Sequence, residues 1–240
     1  MNSFSSLIPF DDALRLEALH QYQHLSTLGE EFFDDLVCLT AKLFGAPIAL
    51  VSFVEKDTVL FAGNVGLPGA KRVARHESLC SVAILHEETT VFESLADDPC
   101  VLVDPGVGQS LNLQFYAGHP LRTAEGHAIG SLCVIDRRAR AFSASETKLL
   151  TSLAKVVMHL LELRARMAHA AEAAQTLWEE IYSRIIPPLA RLQTLAELSG
   201  RHEIPDTTVV RFYHKAVREE TTLIARILNE EVLASQSRLR

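Results

Sequence analysis

Between Asp11 and Phe44 apolar residues recur every three or four positions, the spacing that gathers side chains on one face of a helix. A first helix is predicted from about Asp11 to Leu25, held by Leu14, Leu16, Ala18 and Leu19. Thr27 and Glu30 have the spacing of a capping box, and the helix they open puts Phe32, Leu36, Leu39 and Leu43 on one face, with Phe33, Val37 and Phe44 beside them. Gly45 ends it and Pro47 bars its continuation. The period then shortens. Pro47–Glu55 is apolar on both faces, which predicts a central strand, and Thr58–Gly66 is its neighbour. Leu67–Arg75 reads as loop, His76–Glu88 as a short helix and Thr89–Ser94 as a third strand. Pro99–Asn112 has no period but carries Pro105, Gly106 and Gly108, as expected of a lid over a ligand site.

The stretch Gln114–Arg138 is the centre of the pattern. Two apolar arms flank Glu125-Gly126, a hairpin turn in which glycine takes a positive φ without a Cβ clash. In the first arm Phe115, Ala117, His119 and Leu121 share one face, and Tyr116, Gly118 and Pro120 the other. From Ser143 the period lengthens again. Ser143 and Glu146 form a second capping-box pair, followed by a heptad seam at Leu149, Leu153, Val156, Leu160, Leu163 and Met167. The seam continues more weakly through Ala170, Ala174, Leu177, Ile181, Pro188 and Leu192 to Ser199-Gly200. A further helix is predicted from Asp206 to about Ser235. Such a hairpin cannot bury both faces alone, so pairing of two copies into a four-helix bundle is expected.

The run FYAGHPLRTAEGHAIGSLCVID resembles the last two strands of GAF domains of bacterial sensory proteins. The resemblance extends from about Leu14 to Leu153, through RLEALHQY, LFGAPIALVSFVEKD, ESLCSVAIL and ESLADDP. It implies an α+β fold in which a central antiparallel sheet carries helices on its faces. The expected division is a sensory domain over 1–142 and a helical dimerisation hairpin over 143–240. A weaker resemblance joins Tyr182–Leu192, YSRIIPPLARL, to the phosphoacceptor box of sensor histidine kinases. Ser183 stands where that box has histidine and Arg184 where it has an acid, so the hairpin resembles a dimerisation domain without phosphotransfer. The implied partners are a second copy, a sensor kinase or response regulator, and an unidentified small molecule. No cofactor is named by the resemblance.

Composition narrows this further. The 240 residues carry a net charge of −7 and no basic cluster interleaved with aromatics, which argues against nucleic acid or an anionic membrane as partner. No apolar run is long enough to span a bilayer and no signal-like start is present, so a cytosolic protein is expected. The basic run Arg137–Arg140 reads as a solvated turn.

Candidate chemistry is sparse. Cys80 and Cys100 sit about where some GAF proteins carry the cysteines that reduce free methionine sulfoxide, which makes that reductase the alternative function; a second alternative is a structural dimer with an empty pocket. His76 with Cys80, and His20 with His24, are four apart, but two ligands do not make a metal site. The Cys-His pair by which tetrapyrrole-binding GAF domains attach bilin has no counterpart. The expected reading is a non-catalytic sensory protein with a pocket between the sheet and the segments Glu77–Leu85 and Pro99–Asn112. Ser78, Cys80, Phe115, Tyr116 and His119 are its candidate lining residues.

Overall fold

The computed structural model describes residues 6–23, 30–167, 171–201 and 207–238. Thr27, His24 and the segment Ile204–Asp206 lie outside the described residues, and with them the first capping box and the His20–His24 pair. The chain forms two compact units, Met1–Ala154 and Lys155–Arg240.

The first unit is built on one six-stranded antiparallel sheet. In chain order its strands are β1 (Ile48–Val54), β2 (Thr58–Val65), β3 (Arg72–Ala74), β4 (Thr90–Phe92), β5 (Phe115–Arg122) and β6 (Ala128–Asp136). Their spatial order is β3-β2-β1-β6-β5-β4. Every residue of β1 and of β6 is buried, as a strand covered on both faces requires. The β5–β6 hairpin turns at Gly126, whose φ is 94°. Part of Leu67–Arg75, expected as loop, is the edge strand β3, which pairs Thr58 with Ala74 and Leu60 with Arg72. Its three residues gain order from the ladder of β2, which sequence periodicity cannot register over so short a length.

Helices α1 (Asp12–Gln23) and α2 (Glu30–Phe44) precede the sheet. The stretch expected as one short helix from His76 is split into a 3₁₀ turn (Arg75–Glu77) and a single helical turn, α3 (Cys80–Ala83). His76 and Cys80 therefore lie on different elements and do not share a helical face. Within Pro99–Asn112, residues Pro105–Ser110 form α4.

Two charged clusters fix this unit, and neither was foreseen. Asp12 bonds Arg15 (2.9 Å) and Arg75 (2.9 and 3.2 Å), while Arg15 also donates to the Val54 carbonyl (2.6 Å) and Arg75 to that of Leu7 (2.9 Å). Arg140, expected on a solvated turn, donates to the Phe44 carbonyl (2.7 Å), pairs with Glu146 and lies over the Phe115 ring. Its stem and planar head cover apolar surface while its N–H groups find oxygens, which a basic run does not announce. Glu146 also completes the predicted capping box: its carboxylate accepts from the Ser143 N–H (2.8 Å), and the Ser143 hydroxyl oxygen accepts from the Glu146 N–H (3.3 Å).

Helix α5 (Ala144–Met167) begins there. Its seam residues Leu149 and Leu153 in the first unit, and Val156, Leu160 and Leu163 in the second, are all buried within a single chain. These five residues therefore do not wait on a second copy for their cover, contrary to the argument from periodicity alone. The second unit also holds α6 (Ala171–Arg201) and α7 (Thr207–Arg238). Ion pairs of Arg184 with Glu230 and Glu231, and of Arg191 with Glu220, set these two antiparallel, around Ile181, Ile185, Leu192, Val217, Ile224 and Leu228. The segment resembling a phosphoacceptor box lies inside α6, with the Ser183 hydroxyl donating to the Glu180 carbonyl (2.7 Å).

Candidate functional site

A cavity of about 410 Å³ lies on one face of the sheet in the first unit. Its floor is formed by Leu50 of β1, Phe61 of β2, Tyr116 of β5 and Ile135 of β6. Its walls are Glu77–Cys80 on one side and residues from Leu95 to Gln114 on the other, with Leu67, Ala70 and Val73 at the β3 end. The Asp104 N–H donates to the His76 carbonyl (2.7 Å), tying the two walls together. The lining is mostly apolar. Glu77 and Asp104 are the charged residues on it, and no lysine, arginine or histidine is present among them.

Strand geometry sorts the five candidate residues. Ser78, Cys80 and Tyr116 line the cavity. Phe115 and His119 do not, because they alternate with Tyr116 and so lie on the opposite face. Phe115 packs on Phe142, and the His119 Nδ1 meets the hydroxyls of Thr89 (2.9 Å) and Thr151 (3.4 Å). Those two hydroxyls engage one nitrogen of the half-buried imidazole on that face. Cys100 lines the cavity with Cys80, but the sulfur that Cys80 meets is that of Cys133, 3.9 Å away.

Under Cys80 the sheet is polar. Ser52 of β1 and Ser131 of β6 are paired in register, with their hydroxyl oxygens 3.0 Å apart, and both are fully buried. The Tyr116 hydroxyl is buried beside them without a hydrogen-bond partner in bonding geometry, and a Cβ on Gly118 would overlap it. Burial, and then the neighbouring Cys80, push the Tyr116 phenol well above its ordinary range. Sequence reasoning missed Ser52 and Ser131. The available signal was a serine in each of the two most apolar strands, at positions that pair.

The GAF domain profile matches residues 29–161, more than half of the chain. The chain belongs to the GAF domain family. A cyclic di-GMP phosphodiesterase of Pseudomonas aeruginosa is 32% identical to it over 151 residues, which are 62% of this chain and 26% of that protein. The chain thus matches about a quarter of that relative's length. Among solved structures, the GAF domain of an Acinetobacter phosphoenolpyruvate-protein phosphotransferase matches 62% of this chain and 92% of its own, at 15% identity and a TM-score of 0.46. The free methionine-R-sulfoxide reductase of Neisseria meningitidis, in complex with its substrate, matches 62% and 89% at 19% identity and the same TM-score of 0.46.

These findings place the GAF unit in a sensory and signalling family and show the α+β architecture expected of it. They correct one expectation. The chain was expected to be without catalytic activity, but the 32% relative is by name an enzyme. The expectation rested on the absence of a familiar catalytic motif, and a fold shared by sensors and enzymes does not license that exclusion. Among the described residues no helix is long and apolar enough to cross a membrane.

Proposed function

We propose that the GAF unit senses a small, uncharged and largely apolar molecule, held in the cavity between the sheet and α3. The observation that carries this reading is the lining itself: about 410 Å³ of mainly apolar wall with two carboxylates and no cation. A cavity of that size suits a ligand of modest size. An anion entering it would lose hydration and gain no compensating positive charge. Ser78 and Gln109 offer donors and acceptors at the wall. By the same argument the doubly anionic cyclic di-GMP is not the occupant of this cavity.

Native mass spectrometry of the protein as purified tests the reading. A retained neutral molecule is expected, released when Ala70→Trp fills the β3 end of the cavity, and added cyclic di-GMP should not displace it. Displacement by cyclic di-GMP would overturn the reading. A second reading, favoured by the 32% relative, sets the chain in cyclic di-GMP turnover. Appearance of the linear dinucleotide in the same incubation would support it.

We also propose that two copies pair through α6 and α7. Tyr182 and Ile186 lie one turn apart on α6 and remain exposed, and Leu233 of α7 is exposed at the same level, since Arg184 bonds Glu230. Light scattering should give a dimer that Ile186→Glu with Leu233→Glu converts to monomer. A dimer unchanged by both substitutions would move the interface elsewhere.

A further inference from the structure

We propose that Cys80 and Cys133 are a peroxide-oxidised dithiol pair beneath the cavity, closing reversibly to a disulfide that ties α3 to β6. Four observations carry the proposal independently of what the cavity binds. The two sulfurs are 3.9 Å apart and both residues are buried. Cys80 lines the cavity, so a small hydroperoxide has a route to it, while Cys133 sits behind it on β6, paired with Leu50 on one side and Gly118 on the other. Polar groups in an otherwise apolar sheet gather around Cys80: the hydroxyls of Ser52 and Ser131 face it from below, and the Ser78 hydroxyl oxygen accepts from its own N–H (3.3 Å). Finally, α3 is a single turn, so a small shift of that turn brings the sulfurs together.

The two thiols are not equivalent. The Cys133 S–H donated to Cys80 lowers the Cys80 thiol, burial opposes this, and the Ser131, Ser52 and Ser78 hydroxyls lower it further. Cys133 is pushed well up, by its bond to Cys80 and by burial. Cys80 is thus the attacking sulfur and Cys133 the resolving one. The Cys80 thiolate attacks one oxygen of a hydroperoxide and the O–O bond breaks. The other oxygen leaves as alkoxide, or hydroxide from hydrogen peroxide, and takes up a proton. Cys80 is then a sulfenic acid. The Cys133 sulfur attacks the Cys80 sulfur, the S–O bond breaks, and water leaves with the Cys133 proton. The sulfurs have lost two electrons, and one peroxide has become an alcohol and a water. A dithiol reductant reverses the step by exchange. Closure to a bond of about 2.05 Å draws α3 onto β6 and changes the wall of the cavity.

The test uses the full chain, which has four free cysteines. After hydrogen peroxide treatment and alkylation under denaturing conditions, two thiols rather than four should be modified. Proteolysis should yield a peptide pair joining Cys80 to Cys133, lost on dithiothreitol treatment and unaffected by Cys100→Ala. In Cys133→Ala the reaction should stop at a Cys80 sulfenic acid that dimedone traps. A Cys80–Cys100 link, or Cys80 and Cys133 still alkylated in the wild-type chain while Cys38 and Cys100 oxidise, would overturn the proposal whether or not the variant folds.

Discussion

Replacing Asp12 by alanine is expected to lower the stability of the GAF unit by about 3–5 kcal/mol, the cost of removing one partner from a buried ion pair. Asp12 is the counterion of two guanidiniums at once. Arg15 is fully buried and the Arg75 side chain is 7% exposed. Without the carboxylate both cations stay in the interior, facing each other and a set of carbonyls that neutralise neither. Alanine also releases α1 from the β1–β2 turn, because Arg75 reaches the Glu55 and Lys56 carbonyls as well as Asp12. Burial pushes the Asp12 carboxyl up, but the Arg75 hydrogen bond and the charge of Arg15 outweigh it, and the net shift is downward. The sign follows. A carboxyl lowered in the native state stabilises it fully above the unfolded value of about 3.9. That stability fades as the pH falls below this value and is gone below the native pKa. Because the chain has two compact units, hydrogen exchange in urea, read from peptides of β1 and β6, is the suitable measurement. Those peptides should lose protection at lower urea in Asp12→Ala at pH 7, with the difference shrinking towards pH 2. Equal protection in both proteins at pH 7 would refute the role assigned to Asp12.

Gly130→Ala is expected to cost about 3 kcal/mol, at the upper end of overpacking penalties. Gly130 sits in β6 opposite Phe53 of β1 and Leu121 of β5, at the middle of the sheet. A Cβ there would overlap the Ser52 carbonyl oxygen and press on the Phe53 Cα. The obstacle is backbone, so no side-chain rotation relieves it, and β1 would have to part from β6. The irregular register between Val51 and Ser52 on the other side of β1 shows where the ladder is already bent. The substitution should expose β1 and β6 amides to exchange together and displace Ser52 from Ser131. An alanine variant with wild-type exchange in both strands would show that the sheet absorbs the methyl group, contrary to this account.

Much of this architecture is written locally. The runs Ile48–Val54 and Ala128–Asp136, apolar on both faces apart from a serine in each and the closing Asp136, read as central strands, and they are. The hairpin turn at Gly126 and the cap at Ser143 follow from residue types that satisfy a backbone requirement within a few positions. Strand alternation likewise separated Phe115 and His119 from Tyr116 before any coordinates. It did not say which face α3 would cover, and so five candidate residues were reduced to three only by the fold.

What tertiary structure decided are the pairings between residues far apart in sequence. Cys80 met Cys133 rather than Cys100, because β6 lies beneath α3 while Cys100 belongs to the opposite wall. Asp12, Arg15 and Arg75 formed a cluster although Arg75 had read as loop, and Arg140, half-buried, lies over the Phe115 ring. The seam residues from Leu149 to Leu163 found their cover within one chain. Sequence determined the elements and their buried faces, since hydrophobic period and backbone satisfaction act over a few residues. The site was settled only in three dimensions. Its groups come from β1, β5, β6, α3 and the segment before the hairpin, and their proximity depends on strand order and on where a single helical turn comes to rest.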